Sequence, residues 1–269
     1  MSENTQTDIV YALACTQDGG NCFAARASGL YRSVDGGQTW FFAYESMKFE
    51  EPVPTTSIVI APMDEIHSVF AGAIGGVLRS TDGGETWLVA GLGTPPPAVS
   101  SLVISPNFVR DGILFAGTLE DGVYRCADRG THWVAWNFGL LDLNVFSLAI
   151  SPDFANDETL FVGVESGMFR STNGGRAWRE VDLPIGFEPV LSLALSPTYA
   201  RDGVLFAGTE AQGLMKSTDR GKTWIQLGQD VIDGPVNGIV LDPDFANTAS
   251  ALLALEDRLL ISRDGGHSW

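Results

Sequence analysis

One nine-residue pattern recurs six times along the chain, and it limits the fold more than any other feature of the sequence. Each copy is a run such as RSTDGGETW (79–87), which ends in a tryptophan. Successive terminal tryptophans are 47, 46, 45, 46 and 45 residues apart, and they are Trp40, Trp87, Trp133, Trp178, Trp224 and Trp269. A fixed period of this length is typical of solenoids, propellers and repeat arrays. We call the copies turn motifs 1 to 6.

Each repeat contains short apolar segments and no helical pattern. The first segment ends in proline in all repeats but one, as in VSSLVISP (99–106), and proline cannot continue a β-ladder. Later segments are ILFAGT (113–118), GVYRCAD (122–128) and, after a tryptophan, WLVAGL (87–92). Four such strands per repeat predict an all-β, six-bladed propeller of four-stranded antiparallel blades, and we expect a single domain over residues 1–269.

The third position of the first segment supports a radial arrangement of the repeats. It is always a small residue, namely Ala12, Ser57, Ser101, Ser147, Ser192 and Gly238. The innermost strands of a propeller converge on the axis, where large side chains would collide. A solenoid gives no such reason for small residues.

The last repeat ends at Trp269 and leaves no room for its fourth strand. Residues 2–8 could pair with residues 258–264 as a partial fourth strand, the blade could have three strands, or the natural chain could continue. An open strand edge is a docking site for a partner strand. One hypothesis is therefore a subunit of a larger complex whose partner completes blade 6.

The turn motifs resemble the Asp-box, or bacterial neuraminidase repeat, S-x-D-x-G-x-x-W, in all six repeats. The resemblance implies a β-propeller, and it is shared by sialidases, xyloglucanases and stand-alone propellers such as the photosystem II assembly factor. The residues that match it, or stand at its positions, are Ser33, Asp35, Gly37, Trp40, Ser80, Asp82, Gly84, Trp87, Asp128, Gly130, Trp133, Ser171, Asn173, Gly175, Trp178, Ser217, Asp219, Gly221, Trp224, Ser262, Asp264, Gly266 and Trp269.

The residue types of the motif predict a structural turn. Serine and aspartate side chains bond to nearby backbone groups, and a glycine retained six times indicates a positive φ. The glycine before it is replaced by Arg129 and Arg220, so we expect ordinary backbone geometry at that position. The tryptophans are expected to pack between blades. Calcium needs six to eight oxygen ligands, whereas each motif offers one acid or, at Asn173, none, so we expect no metal and no cofactor.

Catalytic signatures are missing from the sequence. The resemblance implies that a sialidase would clamp a carboxylate with three arginines on the side opposite the Asp-boxes. Only Arg26 and Arg258 lie in or near the predicted turns of that side. The sequence has no G-x-S-x-G elbow and no phosphate-binding loop. We therefore predict a protein that is not an enzyme.

The predicted turns between second and third strands are acidic, and they form the candidate binding site. They carry Glu120, Asp121, Glu165, Glu210, Glu256 and Asp257. Linkers between blades add the acids Glu50, Glu51, Asp142, Glu188, Asp230 and Asp233 and the apolar residues Phe49, Leu140, Leu141, Ile185, Phe187 and Ile232. Our interpretation is a binding or assembly scaffold for a protein or peptide with basic character. The alternatives are acids that serve solubility alone, and a carbohydrate-binding or degenerate glycosidase-like propeller.

The net charge and the cysteine content of the chain limit which partners and which cellular compartment we expect. The chain has 33 acidic and 16 basic residues and a formal net charge of -17, which argues against binding nucleic acid or anionic membranes. Neither a secretory signal nor an apolar run of membrane-spanning length is present. Three cysteines are too few for a disulfide scaffold, so we expect Cys15 and Cys22 to be a buried reduced pair, and the protein to be cytoplasmic.

Overall fold

The computed structural model describes residues 8–61 and 68–269. Their strands form six antiparallel sheets, and these are the blades of a six-bladed β-propeller. Within every blade the strands are hydrogen-bonded in chain order, so each connection inside a blade is a hairpin. The predicted all-β propeller is confirmed.

Blades 1 to 3 each have four strands. Blade 1 comprises β1 (Val10–Cys15), β2 (Cys22–Arg26), β3 (Gly29–Ser33) and β4 (Phe41–Phe42). Blade 2 comprises β5 (Thr55–Ala61), β6 (Ser68–Ala73), β7 (Gly76–Ser80) and β8 (Leu88–Ala90). Blade 3 comprises β9 (Ala98–Ile104), β10 (Leu114–Leu119), β11 (Gly122–Cys126) and β12 (Trp133–Ala135).

Blades 4 and 5 also have four strands, whereas blade 6 has three among the described residues. Blade 4 comprises β13 (Val145–Ile150), β14 (Leu160–Val164), β15 (Gly167–Ser171) and β16 (Arg179–Glu180). Blade 5 comprises β17 (Val190–Leu195), β18 (Leu205–Thr209), β19 (Leu214–Ser217) and β20 (Ile225–Leu227). Blade 6 comprises β21 (Gly238–Leu241), β22 (Ala251–Ala254) and β23 (Leu259–Ser262). The pairing considered for residues 2–8 falls on residues 1–7, which lie outside the described part of the chain.

Short helices occupy connections that the sequence predicted to be polar turns. A 3-10 turn spans Glu45–Met47, and single-turn helices join the first and second strands of blades 3 to 6: α1 (Phe108–Asp111), α2 (Phe154–Asp157), α3 (Tyr199–Asp202) and α4 (Phe245–Thr248). Each helix begins with a buried aromatic residue. The ring of Tyr199 meets Phe161 of blade 4 edge to face at 6.1 Å, so packing against the preceding blade favours the helical turn. None of the helices among the described residues is long and apolar enough to span a membrane.

The small residues of the first strands allow close packing between blades. The hydroxyl of Ser192 donates a 2.7 Å hydrogen bond to the carbonyl oxygen of Val236, in the next blade. A Cβ on Gly208, which is paired with Ser192, would lie 2.3 Å from the Ser192 Oγ. Small residues are therefore required here by contact between neighbouring blades and within the sheet.

The chain divides into two compact units, each with its own core. The first unit contains the described residues up to 104 together with 108–116 and 126–134, and the second contains 105–107, 117–125 and 135–269. The core of the first unit includes the buried rings of Phe23, Tyr44 and Trp87. In the second unit, Phe161 and Phe206 each lie in a separate apolar cluster. The sequence-based expectation of a single domain stays a prediction.

The first blade contains a disulfide bond, which corrects the prediction of a reduced cysteine pair. Cys15 and Cys22 face each other at the paired ends of β1 and β2, with a Cα–Cα distance of 4.1 Å, and their sulfur atoms are bonded. The prediction was wrong because the number of cysteines says nothing about strand register, and register brings these two side chains together. Cys126 is free and buried.

Candidate binding face

The turn motifs are closed networks of hydrogen bonds. In turn motif 2 the hydroxyl of Ser80 donates to Oδ1 of Asp82 at 2.7 Å and accepts from the amide of Gly84 at 2.8 Å. The Asp82 carboxylate also accepts from the amide of Thr86 at 2.9 Å and from its hydroxyl at 2.5 Å. The indole of Trp87 donates to the carbonyl of Gly84 at 3.2 Å. The serine and aspartate side chains are thus occupied by their own turn.

These bonds hold the aspartates in the charged form. The hydroxyl and the amide of Thr39 lower the pKa of Asp35 to about 2. Burial acts against the shift at Asp82, but the Thr86 hydroxyl and amide lower the pKa of that carboxyl to about 2. The Thr223 hydroxyl lowers the pKa of Asp219, and the Ser268 hydroxyl lowers the pKa of Asp264. At Asp128 burial acts in the opposite direction, but bonds from the Cys126 thiol and from backbone amides lower the pKa. Carboxylates held in this way are structural acceptors.

Two turn motifs depart from the pattern and keep the geometry. In motif 3 the thiol of Cys126 replaces the serine, and its sulfur lies 3.0 Å from Asp128 Oδ1 and 3.0 Å from the amide nitrogen of Gly130. In motif 4 the Asn173 side-chain oxygen accepts from the Ser171 hydroxyl at 2.9 Å. The network therefore requires an acceptor at the aspartate position, and a neutral one is sufficient.

The backbone of the motif confirms one prediction and overturns another. The second glycine has a positive φ in all six motifs, for example 93° at Gly84. The preceding position also has a positive φ, of 59° at Arg129 and 66° at Arg220, so the expected ordinary geometry is wrong. The guanidinium of Arg129 donates to the carbonyl of Val109 at 2.7 Å, and that of Arg220 donates to Ala200 at 2.6 Å. These bonds offset the cost of the left-handed backbone.

A basic residue before a turn motif reaches the motif of the next blade. Arg79 donates to the Thr131 hydroxyl at 3.3 Å, and Arg170 donates to the backbone carbonyl of Arg220 at 3.1 Å. Lys216, which is buried, donates to the carbonyl of Gly265 at 2.7 Å. These cations join neighbouring blades.

The tryptophans at the ends of the motifs differ in burial. Trp87, Trp133, Trp178 and Trp224 are buried, whereas Trp40 and Trp269 are half-buried. Within the described ranges, no group of three or more His, Cys, Asp or Glu side chains is arranged to hold a metal ion. The aspartates, several of the cations and most of the indoles at this end of the blades form hydrogen bonds within the fold.

The other end of the blades carries the acidic side chains singled out in the sequence. The structure places Glu120, Asp121, Glu165, Glu210, Glu256 and Asp257 in exposed turns between second and third strands, all in the second unit. Glu165 accepts a 2.8 Å hydrogen bond from Asn144, and Asp257 is paired with Arg258 at 3.4 Å. The remaining four carboxylates make no ion pair or side-chain hydrogen bond in the described part of the chain.

Acids of the linkers between blades have a different role, which the sequence did not distinguish. Asp142 accepts from the amide of Ser166 at 2.8 Å, and Glu188 accepts from the amide of Gln212 at 3.2 Å. Asp233 is paired with Arg258. Each of these acids bonds to the turn between the second and third strands of the following blade. Its carboxylate therefore stabilises the fold.

Large apolar side chains lie exposed in the linkers between blades. Phe138, Leu141 and Phe187 have exposed fractions of 78%, 81% and 86%. Leu140 and Ile232, which the sequence grouped with them, are buried. Sequence reasoning missed Phe138, although it directly precedes Gly139 in the same linker.

These elements form one surface of the second unit. Asp142 is bonded to Ser166, and Ser166 lines a cavity together with Phe187, so the two apolar linkers flank the turn of Glu165. We call this surface the binding face, and it comprises the turns 119–121, 165–167, 210–213 and 255–258 and the linkers 137–144 and 182–189. Exposed apolar groups next to an acidic turn are suited to contact with another molecule.

Comparison with known proteins identifies the class of the fold. No protein-family model and no curated protein matches the sequence. Among solved structures, the chain is similar to an ancestral GH74 enzyme, with a TM-score of 0.75 and 19% identity over 94% of this chain and 36% of that one. The extracellular domain of the one-component system BT4673 from B. thetaiotaomicron has a TM-score of 0.73 and 15% identity, over 96% of this chain and 32% of that one.

A third similar structure is described as YCF48 bound to D1 peptide. Its TM-score is 0.69, with 18% identity over 98% of this chain and 80% of that one. The chain thus spans about a third of the length of the GH74 and BT4673 structures and four fifths of the length of YCF48. At these identities the likeness establishes the propeller fold.

Proposed function

We propose that this chain is a non-catalytic Asp-box propeller that binds a protein or peptide through the binding face. The observation that carries the proposal is the exposure of Phe138, Leu141 and Phe187 in the two linkers that flank the acidic turn of Glu165. Burying one large apolar side chain contributes about 1.5–3 kcal/mol, so three such groups provide a substantial driving force for association.

The chemistry of the turn motifs supports a scaffold. Their carboxylates are saturated with hydrogen bonds, as at Asp82, and their basic neighbours are bound to adjacent blades, as at Lys216. A general acid or base needs a proton that can move near the working pH, whereas the pKa of Asp82 is about 2. YCF48, which has a similar fold, is described as bound to a peptide, and that agrees with a peptide-binding role here.

The charge of the binding face favours a basic partner. Glu120, Asp121, Glu210 and Glu256 make no ion pair in the described ranges, and the whole chain has a formal charge of -17. Exposed carboxylates attract cations and repel acidic surfaces. The partner is therefore a segment with both apolar and basic residues.

Binding to an array of short synthetic peptides, graded in basic and apolar content, tests this function. The triple variant Glu120→Gln, Glu165→Gln, Glu210→Gln should weaken binding of basic peptides about tenfold, since each exposed charge pair contributes up to about 1 kcal/mol. A control triple at Glu45, Glu85 and Glu158, outside the binding face, removes the same charge and should have little effect. Phe187→Ser should reduce binding at least about tenfold.

Equal binding by both triple variants, together with an unchanged affinity of Phe187→Ser, would exclude the binding face as the site.

The structural likeness to GH74 enzymes supports a second candidate, a carbohydrate-active propeller. A GH74 xyloglucanase is among the similar structures, so hydrolysis and binding of xyloglucan are the appropriate assays. We expect neither, and release of reducing sugar by the wild-type chain would favour the second candidate.

A further inference from the structure

A small cavity opens on the binding face at blade 4. Its volume is about 130 Å³, which is suited to one long side chain. The lining residues are Ser166, Gly167, Met168, Phe169, Glu180, Val181, Asp182, Leu183, Gly186 and Phe187. The cavity is thus built from the turn and third strand of blade 4 and from the chain that leaves its fourth strand.

The cavity occupies a space that is filled by a side chain in blades 1 and 3. In blade 1 a Cβ on Gly29, the first residue of the third strand, would lie 2.7 Å from the ring of Phe42. In blade 3 the corresponding Gly122 is covered by Asn137, at 2.6 Å. A Cβ on Gly167 of blade 4 would meet no atom within 4 Å.

The open space coincides with a difference in sequence between blade 4 and blade 1. Phe42 is paired with Tyr31 across β3 and β4, and the same register pairs Glu180 with Phe169 across β15 and β16. Glu180 therefore stands where blade 1 has a phenylalanine. Its carboxylate is exposed, so it does not fill the space in the way that the Phe42 ring does.

The walls of the cavity are apolar and its rim is acidic. Met168, Phe169 and Leu183 are buried and give the walls their apolar character. Glu180 and Asp182 are exposed at the rim, and neither makes an ion pair or a side-chain hydrogen bond among the described residues. No basic residue lines the cavity.

We propose that this cavity binds the side chain of a lysine from the partner, an inference that rests on the proposed function. The four methylenes of lysine suit the apolar walls, and its ammonium group suits the carboxylates of Glu180 and Asp182 at the rim. The exposed ring of Phe187 offers a face for cation–π contact. A neutral aliphatic side chain would leave both carboxylates without a partner, and a short cation would not reach the walls.

Titration with Nα-acetyl-lysine methylamide tests the cavity without the partner. In protein with ¹³C-labelled methionine methyl groups, the Met168 resonance should shift saturably, whereas Met47 and Met215 should not move. Nα-acetyl-norleucine methylamide keeps most of the aliphatic stem and lacks the charge, so it should produce a much weaker shift. The double variant Glu180→Gln, Asp182→Asn should lose the response to the lysine compound.

Glu45→Gln, which removes an exposed charge outside the binding face, is the control and should keep the response. Equal shifts with the norleucine compound, or a full response in the double variant, would overturn the proposal. The outcome is separable from the proposed function. Peptides that bind through Phe138 and Leu141 without any response of Met168 would refute the lysine cavity alone, whereas a Met168 response with no peptide binding would refute the proposed function alone.

Discussion

A Cβ atom on Gly130 in turn motif 3 would lie 2.3 Å from Cε1 of Phe70, in the preceding blade. The same relationship joins Gly84 to Phe23, at 2.5 Å. The second glycine of the motif thus has two functions, since it adopts a positive φ and it also admits an aromatic ring from the neighbouring blade. The motif is a contact between blades as well as a turn.

Gly130→Ala should therefore be much more destabilising than a glycine-to-alanine substitution whose only cost is the positive φ of the backbone. Gly36 has a φ of 72°, and a Cβ there would lie 3.5 Å from the nearest atom, so Gly36→Ala isolates the backbone cost of about 1–2 kcal/mol. Gly130→Ala adds the displacement of Phe70, at about 1–3 kcal/mol. Urea unfolding of the two variants measures the difference, and equal midpoints would show that the ring contact is not restrictive.

Arg129 offers a test of how the left-handed arginine is stabilised. Arg129→Gly relieves the strain of a φ of 59° but loses the hydrogen bond to Val109, so its stability should stay close to that of the wild type. Arg129→Ala loses the bond and keeps the strain, and should be about 1 kcal/mol less stable than the glycine variant. The equivalent pair at Arg220 should repeat this order in thermal unfolding. An alanine variant as stable as the glycine variant would contradict the strain argument.

Acid should destabilise the turn motifs through their aspartates. The folded-state pKa of Asp82 is about 2, below the value of about 3.9 in an unfolded chain. A depressed folded pKa contributes stability that is present above pH 3.9 and is lost as the pH falls toward 2. Asp82→Asn should therefore reduce the loss of stability on acidification, while Asn173→Asp should increase it. Urea midpoints at neutral and acidic pH test both.

The disulfide between Cys15 and Cys22 should stabilise the first blade. Closing a loop with a sequence separation of 7 is worth about 2–3 kcal/mol in the chain-entropy model, so Cys22→Ser should lower the unfolding midpoint in the absence of reductant. Thiol titration should find one reactive group, Cys126, in unreduced denatured protein and three after reduction. Burial raises the pKa of the Cys126 thiol, so it should not react in the folded state. Three thiols in unreduced protein from its own cells would support the cytoplasmic expectation, because cytosolic disulfides are rare.

Much of the fold follows from local patterns that the sequence displays directly. The regular spacing of tryptophans predicted the number of blades, and proline after the first strand predicted where that strand ends. The glycine at position 84 and its equivalents predicted a positive φ, because a glycine kept in every motif indicates a need for backbone freedom. Arg129 was misjudged because a hydrogen bond from its own side chain to Val109 offsets a strain that the residue type alone disfavours.

The candidate site was predicted only in part, since exposure depends on neighbours distant in sequence. Leu183, Ile185 and Phe187 alternate along one linker and look equivalent, yet the first is buried, the second is half-buried and the third is 86% exposed. In the sequence Glu165 and Asp142 also look alike, since each is an acidic residue in a predicted turn or linker at the same end of the blades. Packing separates them, because Asp142 bonds to the backbone of the next turn while Glu165 lies exposed beside it.

The sequence by itself determined the repeat, the strands, the turn chemistry and the acidic character of one end of the blades, because each depends on residue type and spacing within one repeat. The tertiary structure decided which side chains remain available for a partner. Sheet register joined Cys15 to Cys22 and placed Glu180 opposite Phe169, and contact between blades covered Ile232 while leaving Phe187 exposed. Those outcomes depend on pairings between residues that are far apart in the chain, or across strands, and no local pattern specifies them.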